Sequence, residues 1–252
     1  MNDSMSYMQE IQNADYEDKV VAFIDIMGVK KLIEQSQKPS DLLMYSTIIC
    51  NFQNFTMNGK IKIVSFSDCM YIISDKENIN DLLSFISFLA HFLMFDDSIK
   101  NSDYSDIDMN HCHKIRGGIT YGKIYSIGNM VIGDAALRAY ELESKIAVYP
   151  RILLDANTFN KDILLEDHFS DSCVKDDDGN FYFDYIQFNK LSGSEQILNE
   201  FQLIDRVIEF VKKEKDVAFN TNNAKLIGQL EWFIRYLEKK KVDFEEYNFS
   251  KL

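Results

Sequence analysis

Residues 19–33 read KVVAFIDIMGVKKLI, and this stretch decides the fold. Residues 19–26 form an apolar run rich in Val, Ile and Phe, which is typical of a buried β-strand. The residues that follow Gly28 have the pattern of a helix. Asp25 interrupts the apolar run near its end, and a buried carboxylate costs free energy unless a partner compensates its charge. Asp25 is therefore the first candidate for a functional residue.

The composition limits the classes of protein that this chain can belong to. It has 252 residues, of which 46% are hydrophobic, enough for one α/β or α+β core with or without an appendage. No apolar stretch approaches the roughly 20 residues that span a bilayer, and the acidic N-terminus is unlike a signal peptide. We therefore expect a cytoplasmic protein with reduced cysteines and no membrane partner.

The net charge is −13, so the chain lacks the basic footprint that non-specific nucleic-acid binding requires. Nucleic acid is not an expected partner. An acidic protein can still bind a nucleoside triphosphate, but it needs metal ions to offset the repulsion between the two negative charges.

The order of elements predicts the architecture. Apolar periodicity gives a strand, helices, a β-hairpin, a helix, a strand, a helix and a strand, which is an expanded form of the ferredoxin-like βαββαβ pattern. Two amphipathic helices follow. We predict an N-terminal arm at 1–17, a core at 18–190 and a helical C-terminal extension at 191–252 that packs on the core. The predicted fold class is α+β.

A second aspartate lies at the tip of the predicted hairpin. Asp68 separates the strand-like stretches IKIVSFS and CMYIISD, and in a ferredoxin-like sheet this hairpin can lie beside the first strand. Asp25 and Asp68 would then face one point, where two ionised carboxylates repel each other unless a cation lies between them. Oxygen ligands suit Mg²⁺ or Mn²⁺. A lone strand-end aspartate is more often a cap or turn residue, so a structural role stays open for each.

Paired metals held in this way can activate an attacking oxygen and stabilise a leaving pyrophosphate. Gly28 would let the backbone approach a ligand closely, and the helix after it offers free N–H groups to a phosphate. The residues alone therefore indicate a site for a metal and a triphosphate.

Three motifs, in order, resemble class III nucleotidyl cyclase domains over roughly residues 19–155. FIDIMGVKKL is similar to their F-x-D-I-x-G-F opening, and IVSFSDCMYII lies where they carry a hairpin aspartate. Residues 115–143 resemble their R-I-G-I-x-x-G strand, which is followed by G-D-x-V-N-x-A-x-R-L-E on a helix. The resemblance implies a class III cyclase core and a head-to-tail homodimer with shared active sites.

The resemblance also implies the roles of individual residues. Asp25, Asp68 and the backbone carbonyl of Ile26 would bind the two metal ions, Mn²⁺ or Mg²⁺. The ribose 3′-OH of a nucleoside triphosphate would attack the α-phosphorus in line. Phe23, two residues before Asp25, is placed to pack against the nucleotide, although a plain core role is equally consistent with the sequence. Gly28 completes the predicted nucleotide-binding set.

The helix of the third motif departs from the family. The family has an Asn that orients the ribose and, four residues later, an Arg that stabilises the transition state, whereas this chain has Leu137 and Glu141 there. Arg138 is the basic residue nearby and is the predicted catalytic substitute, although it lies one residue after the family's Asn position and about 100° round the helix from it. Arg116 and Arg151 are the alternatives.

The residues that read a purine base are also replaced. The family's Lys and Asp correspond to Val64 and Met130 here, and specificity for a base needs polar groups matched to its edge. This pattern and the helical extension resemble the Pycsar pyrimidine cyclases of bacterial antiphage defence. That resemblance implies cyclic CMP or cyclic UMP as a second messenger for a separate effector. The choice between CTP and UTP stays open, as do a purine cyclase and a catalytically silent nucleotide-binding module.

Overall fold

The computed structural model describes residues 11–12, 14–38, 58–95, 112–157, 172–186 and 194–249. Most of the predicted N-terminal arm and the predicted helix that begins near residue 40 lie outside the described residues. The strands are β1 (Glu17–Met27), β2 (Ile61–Phe66), β3 (Cys69–Ser74), β4 (Lys114–Ile127), β5 (Met130–Ile132), β6 (Ile152–Leu154), β7 (Cys173–Lys175) and β8 (Phe181–Phe183). The helices are α1 (Val29–Gln35), α2 (Ile79–Phe95), α3 (Asp134–Glu141), α4 (Ser194–Asn220) and α5 (Ala224–Phe249), with a π-helical turn at Leu142–Ile146 directly after α3.

The strand order confirms the predicted α+β, ferredoxin-like class. The sheet runs β2-β3-β1-β4-β6-β8-β7, and β5 pairs with β4 outside this path. The first four strands are antiparallel to their neighbours, which is the arrangement of a βαββαβ unit. Strand β6 then runs parallel to β4, because α3 provides the crossover between them.

The two faces of β1 have different neighbours, because successive side chains of a strand point to opposite sides. Val20 and Ile24 belong to the large core that includes α2. Val21 and Phe23 instead pack with alanines of α3 in a smaller cluster. Asp25 continues the Val21–Phe23 series, so its carboxylate lies on the α3 face of the sheet.

The two long C-terminal helices contribute to the same large core. Val207 of α4 and Phe233 of α5 are fully buried within it. The Tyr236 hydroxyl donates to Asp184 at 2.6 Å and accepts the Ile186 N–H at 3.0 Å. The boundaries between the predicted core and extension stay a prediction.

A further link joins the C-terminal helices to the central sheet. Lys114, the first residue of β4, is buried and donates to Glu214 of α4 at 2.6 Å. Trp232 of α5 donates through its indole N–H to Asp176 at 2.9 Å. Among the described residues, none of the helices combines the length and apolar character that crossing a membrane requires.

Candidate metal and nucleotide site

The structure brings Asp25 and Asp68 together at one end of the sheet. Asp25 lies opposite Cys69 in the β1–β3 ladder, and the Ile26 N–H donates to the Asp68 carbonyl at 2.9 Å. One side-chain ligand atom from each of Asp25, Asp68 and Cys69 lies within 4.8 Å of the other two. The predicted proximity of the two aspartates is therefore observed.

A tight turn positions Asp68. Strand β2 ends at Phe66 and β3 begins at Cys69, so only Ser67 and Asp68 form the loop of this hairpin. Ser67 has φ of 54°, in the left-handed region that two-residue hairpin turns require. The turn holds the Asp68 backbone against β1, and its carboxylate against Asp25.

Cys69 is a third member of the cluster, and the sequence analysis missed it. Its Sγ lies 3.5 Å from Asp25 Oδ1 and 3.7 Å from Asp68 Oδ1, so its one S–H can donate to either carboxylate. Burial, and then the two nearby carboxylates, raise the pKa of this thiol far above its usual range. The thiol therefore stays protonated at neutral pH and offers a hydrogen bond to one carboxylate at a time.

Arg116 lies on the other side of Asp25. The two residues are directly opposite in the β1–β4 ladder, and Arg116 Nη2 donates to Asp25 Oδ2 at 3.1 Å. The same nitrogen forms an ion pair with Glu143 in the π-helical turn. Burial raises the pKa of Asp25, and Arg116 opposes this effect. Burial raises the pKa of Glu143 in the same way.

Glycines in β4 let the helix end reach this cluster. A Cβ on Gly118 would lie 2.3 Å from Leu142 Cβ and 2.7 Å from the Ala139 carbonyl oxygen, so only glycine permits this approach. The π-helical turn, a feature frequent at functional sites, then carries Glu143 to Arg116. Glu143 was not predicted as a site residue from the sequence. Its position at the end of the third motif was the available signal.

Arg138, the predicted catalytic arginine, is paired with a carboxylate in the structure. Its guanidinium binds Asp155 in a bidentate manner, at 3.0 and 2.9 Å, and the Thr120 hydroxyl also donates to Asp155. Thr120 lies four residues beyond Arg116 on β4, a separation of about 13 Å along a strand. Burial opposes ionisation of Asp155, but these hydrogen bonds outweigh it and lower its pKa. The catalytic role of Arg138 stays a prediction.

Phe23 is covered by other aromatic rings. It is only 2% exposed, and its ring centroid lies 4.9 Å from Tyr71, 5.4 Å from Tyr140 and 6.1 Å from Phe66. The observed contacts are therefore those of a small aromatic core, the alternative that the sequence left open. Phe66 and Tyr140 are the members of this cluster that reach solvent.

Ile26 and Gly28 flank the aspartate on the strand end. The Ile26 side chain is buried on the opposite face from Asp25, so only its backbone is available to a ligand at the cluster. Gly28 has φ of 95°, which favours glycine, and it makes the turn from β1 into α1. Their predicted binding roles stay predictions.

Three positions at which the sequence departs from the motifs that it resembles carry apolar side chains. Val64 is buried on β2 opposite Tyr71. Met130 on β5 and Leu137 on α3 are exposed, Leu137 by 58%. Tyr140 and Ile132 are also exposed on these two elements. Exposed apolar side chains thus lie on α3 and on β5, and β5 pairs with the end of β4 that is remote from Arg116.

Comparisons with known proteins give structural matches only. The sequence matches no protein-family model and no curated protein. The solved structures that resemble the chain include adenylyl and guanylyl cyclase domains. The adenylyl cyclase CyaB from P. aeruginosa has a TM-score of 0.47 and 15% identity, over 71% of this chain and 98% of that one.

Two more solved structures have similar values. A bacterial light-regulated adenylyl cyclase has a TM-score of 0.48 and 15% identity, over 77% of this chain and all of that one. The guanylate cyclase domain of RhGC from Catenaria anguillulae, in complex with GTP, has a TM-score of 0.46 and 13% identity, over 67% of this chain and 96% of that one. At 13–15% identity, these similarities concern the fold.

Proposed function

We propose that the protein is a nucleotidyl cyclase that converts a nucleoside triphosphate into a 3′,5′-cyclic nucleotide and pyrophosphate. The observation that carries the proposal is the meeting of Asp25 and Asp68 at one point of the sheet edge. Two carboxylates this close repel each other unless a cation joins them. Their oxygens, with the Ile26 carbonyl, fit hard divalent cations such as Mn²⁺ or Mg²⁺.

The residues of the cluster have separate tasks in this proposal. Bound divalent cations would lower the pKa of the ribose 3′-OH and neutralise charge on the triphosphate. Asp25 and Asp68 would hold these cations, and the single S–H of Cys69 is within reach of either carboxylate. The 3′-OH loses its proton to solvent, its oxygen forms a bond to the α-phosphorus, and the bond to the leaving pyrophosphate breaks. The chain's own part is to position these groups and to supply positive charge to the phosphates.

Arg116 is better supported than Arg138 as the cation that faces the phosphates. Arg116 lies beside Asp25, whereas Arg138 is bound to Asp155. Arg151 is fully buried and pairs with Asp176 and Asp178 of a β-turn. Arg116 therefore has the shortest path to a triphosphate held at the aspartates.

We also propose a homodimer through the apolar surface of α3 and β5. Leu137 and Tyr140 are exposed one helical turn apart, and Ile132 is exposed on the neighbouring strand. Contiguous exposed apolar side chains mark interaction surfaces, and a second copy of the same chain is the commonest partner of such a surface.

CTP or UTP is the proposed substrate, and a separate cyclic-nucleotide-activated antiphage effector in the cytoplasm is the proposed target of the product. The support is the apolar character of Val64 and Met130, which offer no hydrogen bond to a purine edge. A purine cyclase and a catalytically silent nucleotide-binding module are the alternatives.

One experiment distinguishes the pyrimidine cyclase, the purine cyclase and the silent nucleotide-binding module. Purified protein is incubated with Mn²⁺ or Mg²⁺ and each of the four ribonucleoside triphosphates, and the products are identified by mass spectrometry. Cyclic CMP or cyclic UMP supports the proposal, and cyclic AMP or cyclic GMP establishes a purine cyclase. Folded protein that binds a nucleotide and yields no product with either metal establishes the silent module.

Variants connect the product to the cluster. Asp25→Asn and Asp68→Asn should each reduce product formation by at least about a hundredfold, because each removes a charge that holds a cation. Asp75→Asn is the matched control, since Asp75 pairs with Lys19 just beyond the other end of β3. Equal losses in all three variants would contradict a specific role for the two aspartates.

A further inference from the structure

Arg116 is shared between two carboxylates. One of its terminal nitrogens donates to Asp25 Oδ2 at 3.1 Å and also forms the ion pair with Glu143. The exposed fractions are 19% for Arg116, 18% for Asp25 and 5% for Glu143. The arrangement is thus a mostly buried carboxylate–guanidinium–carboxylate cluster, and it differs from the exposed ion pairs that contribute little to stability.

The backbone fixes all three members. Asp25 and Arg116 are opposite each other in a regular ladder, and Glu143 belongs to the π-helical turn that packs on Gly118. The packing of α3 on β4 therefore places the backbone of Glu143 close to Arg116. Of the three side chains, the long arginine has the greatest rotational freedom.

The guanidinium is not fully hydrogen-bonded in this arrangement. Its Nε is buried and makes no hydrogen bond with the part of the chain that the structure describes, and Glu143 Oε1 also lacks a partner in hydrogen-bonding geometry there. The contact between Arg116 and Glu143 is therefore an ion pair defined by distance, and an N–H of the guanidinium is left for another anion.

A divalent cation at Asp25 changes the balance between the two carboxylates. The cation repels the guanidinium that shares the same carboxylate, and this repulsion is strong in a mostly buried site. Arg116 must then give up Asp25. A guanidinium left in a buried site without an anion is costly, and Glu143 is the anion already in contact with it.

We propose that Glu143 is a positioning residue that holds Arg116 away from Asp25 when a divalent cation binds, so that Arg116 does not compete with the cation. The inference rests on the proposed metal site. In the metal-bound state Glu143 keeps the guanidinium beside the site, with its remaining N–H groups available to the triphosphate.

The test is Mn²⁺ binding to the nucleotide-free protein, measured by calorimetry at one fixed neutral pH. Glu143→Gln keeps the shape of the side chain and removes its charge, so Arg116 pairs more strongly with Asp25. We expect the Mn²⁺ dissociation constant to rise about tenfold, which corresponds to about 1.4 kcal/mol. Arg116→Gln should bind Mn²⁺ at least as tightly as the wild type.

The double variant distinguishes positioning from simple charge. If Glu143 acts through Arg116, then Arg116→Gln with Glu143→Gln should bind Mn²⁺ as Arg116→Gln alone does, because the second substitution has nothing left to act on. If Glu143 only adds negative charge or binds the metal itself, Glu143→Gln weakens binding equally in both backgrounds. That second result would overturn the inference.

Glu141→Gln is the matched control. It makes the same change of charge two residues away, but Glu141 is at the surface and pairs with Lys145. We expect less than about a twofold change in its dissociation constant, because exposed charges are screened. A tenfold loss in this control would show that net charge, and not the contact with Arg116, sets the affinity.

Folding and the metal site are checked separately. Thermal unfolding is measured for each variant. If Glu143→Gln does not fold, Glu143→Asp provides the same test, because it keeps the negative charge but its side chain is too short to contact Arg116. Wild-type affinity in the folded Glu143 variant overturns the positioning role. Absence of Mn²⁺ binding in the wild type instead overturns the proposed metal site on which the inference rests.

Discussion

Gly118→Ala is the substitution that best tests how the site is assembled. The new Cβ would lie 2.3 Å from Leu142 Cβ and 2.7 Å from the Ala139 carbonyl oxygen, whereas ordinary contacts begin at 3.4 Å. Neither atom belongs to the flexible end of a side chain, so the end of α3 and the π-helical turn must move by about 1 Å away from β4.

The expected cost follows from that displacement. Overpacking of a well-packed interior costs about 1–3 kcal/mol, and each kcal/mol lowers the melting temperature of a chain of this size by about 2–4 °C. The same displacement shifts Glu143 relative to Arg116. Because a misplacement of about 1 Å can cost about a hundredfold in rate, we expect product formation to fall between tenfold and a hundredfold.

The assay combines thermal unfolding with the cyclase reaction, and Gly228→Ala is the matched control. Gly228 lies within α5, and a Cβ there meets nothing within 4 Å. Alanine is better than glycine in a helix by about 1 kcal/mol, so this control should melt slightly higher than the wild type and keep its activity. A Gly118→Ala protein that melts within about 1 °C of the wild type with full activity would refute the reasoning.

Three further outcomes are expected. Tyr236→Phe leaves Asp184 and the Ile186 N–H without the hydroxyl that joins them, and should lower the free energy of unfolding by about 2–4 kcal/mol in urea denaturation; a loss below about 0.5 kcal/mol would contradict it. Leu137→Glu introduces a charge into the apolar surface and should give a folded monomer in light scattering, with a melting temperature lowered only by the loss of dimer stabilisation. A dimer of wild-type affinity would exclude this interface. Burial raises the pKa of Asp25, so its carboxyl takes up a proton at a higher pH than an ordinary aspartate does. The Mn²⁺ affinity should therefore fall on acidification while ordinary aspartates are still ionised. An affinity that is constant down to about pH 4 would contradict the raised pKa.

The outline of the fold could be predicted because its longest strands carry strong local signals. The apolar run of β1 and the alternation on both sides of Asp68 define the central strands, and the order of elements then limits the topology. Strands β5 and β7 were missed. Each has only three residues, too few to show a period, and each exists because a neighbouring strand offers it hydrogen bonds.

The site was predictable only where a residue lies at a strand end. Asp25 and Asp68 could be paired because the hairpin places its tip beside β1. The position of the Glu143 side chain depends on a π-helical turn, which changes the direction that the residue would have in a regular α-helix. The partner of Arg138 is Asp155, after β6, and no local pattern in the sequence connects these two residues.

The bond between Lys114 and Glu214 joins residues that lie 100 positions apart in the chain. Because Lys114 is buried, replacement of Glu214 by an uncharged residue would leave the ammonium group of Lys114 without this counter-charge. Replacement of Lys114 by an uncharged residue would leave the Glu214 carboxylate unpaired near the sheet. Descendants of this chain should therefore change the two positions together or keep both. A hybrid that takes its first half from one such lineage and its C-terminal helices from another should fold only when the two residues match.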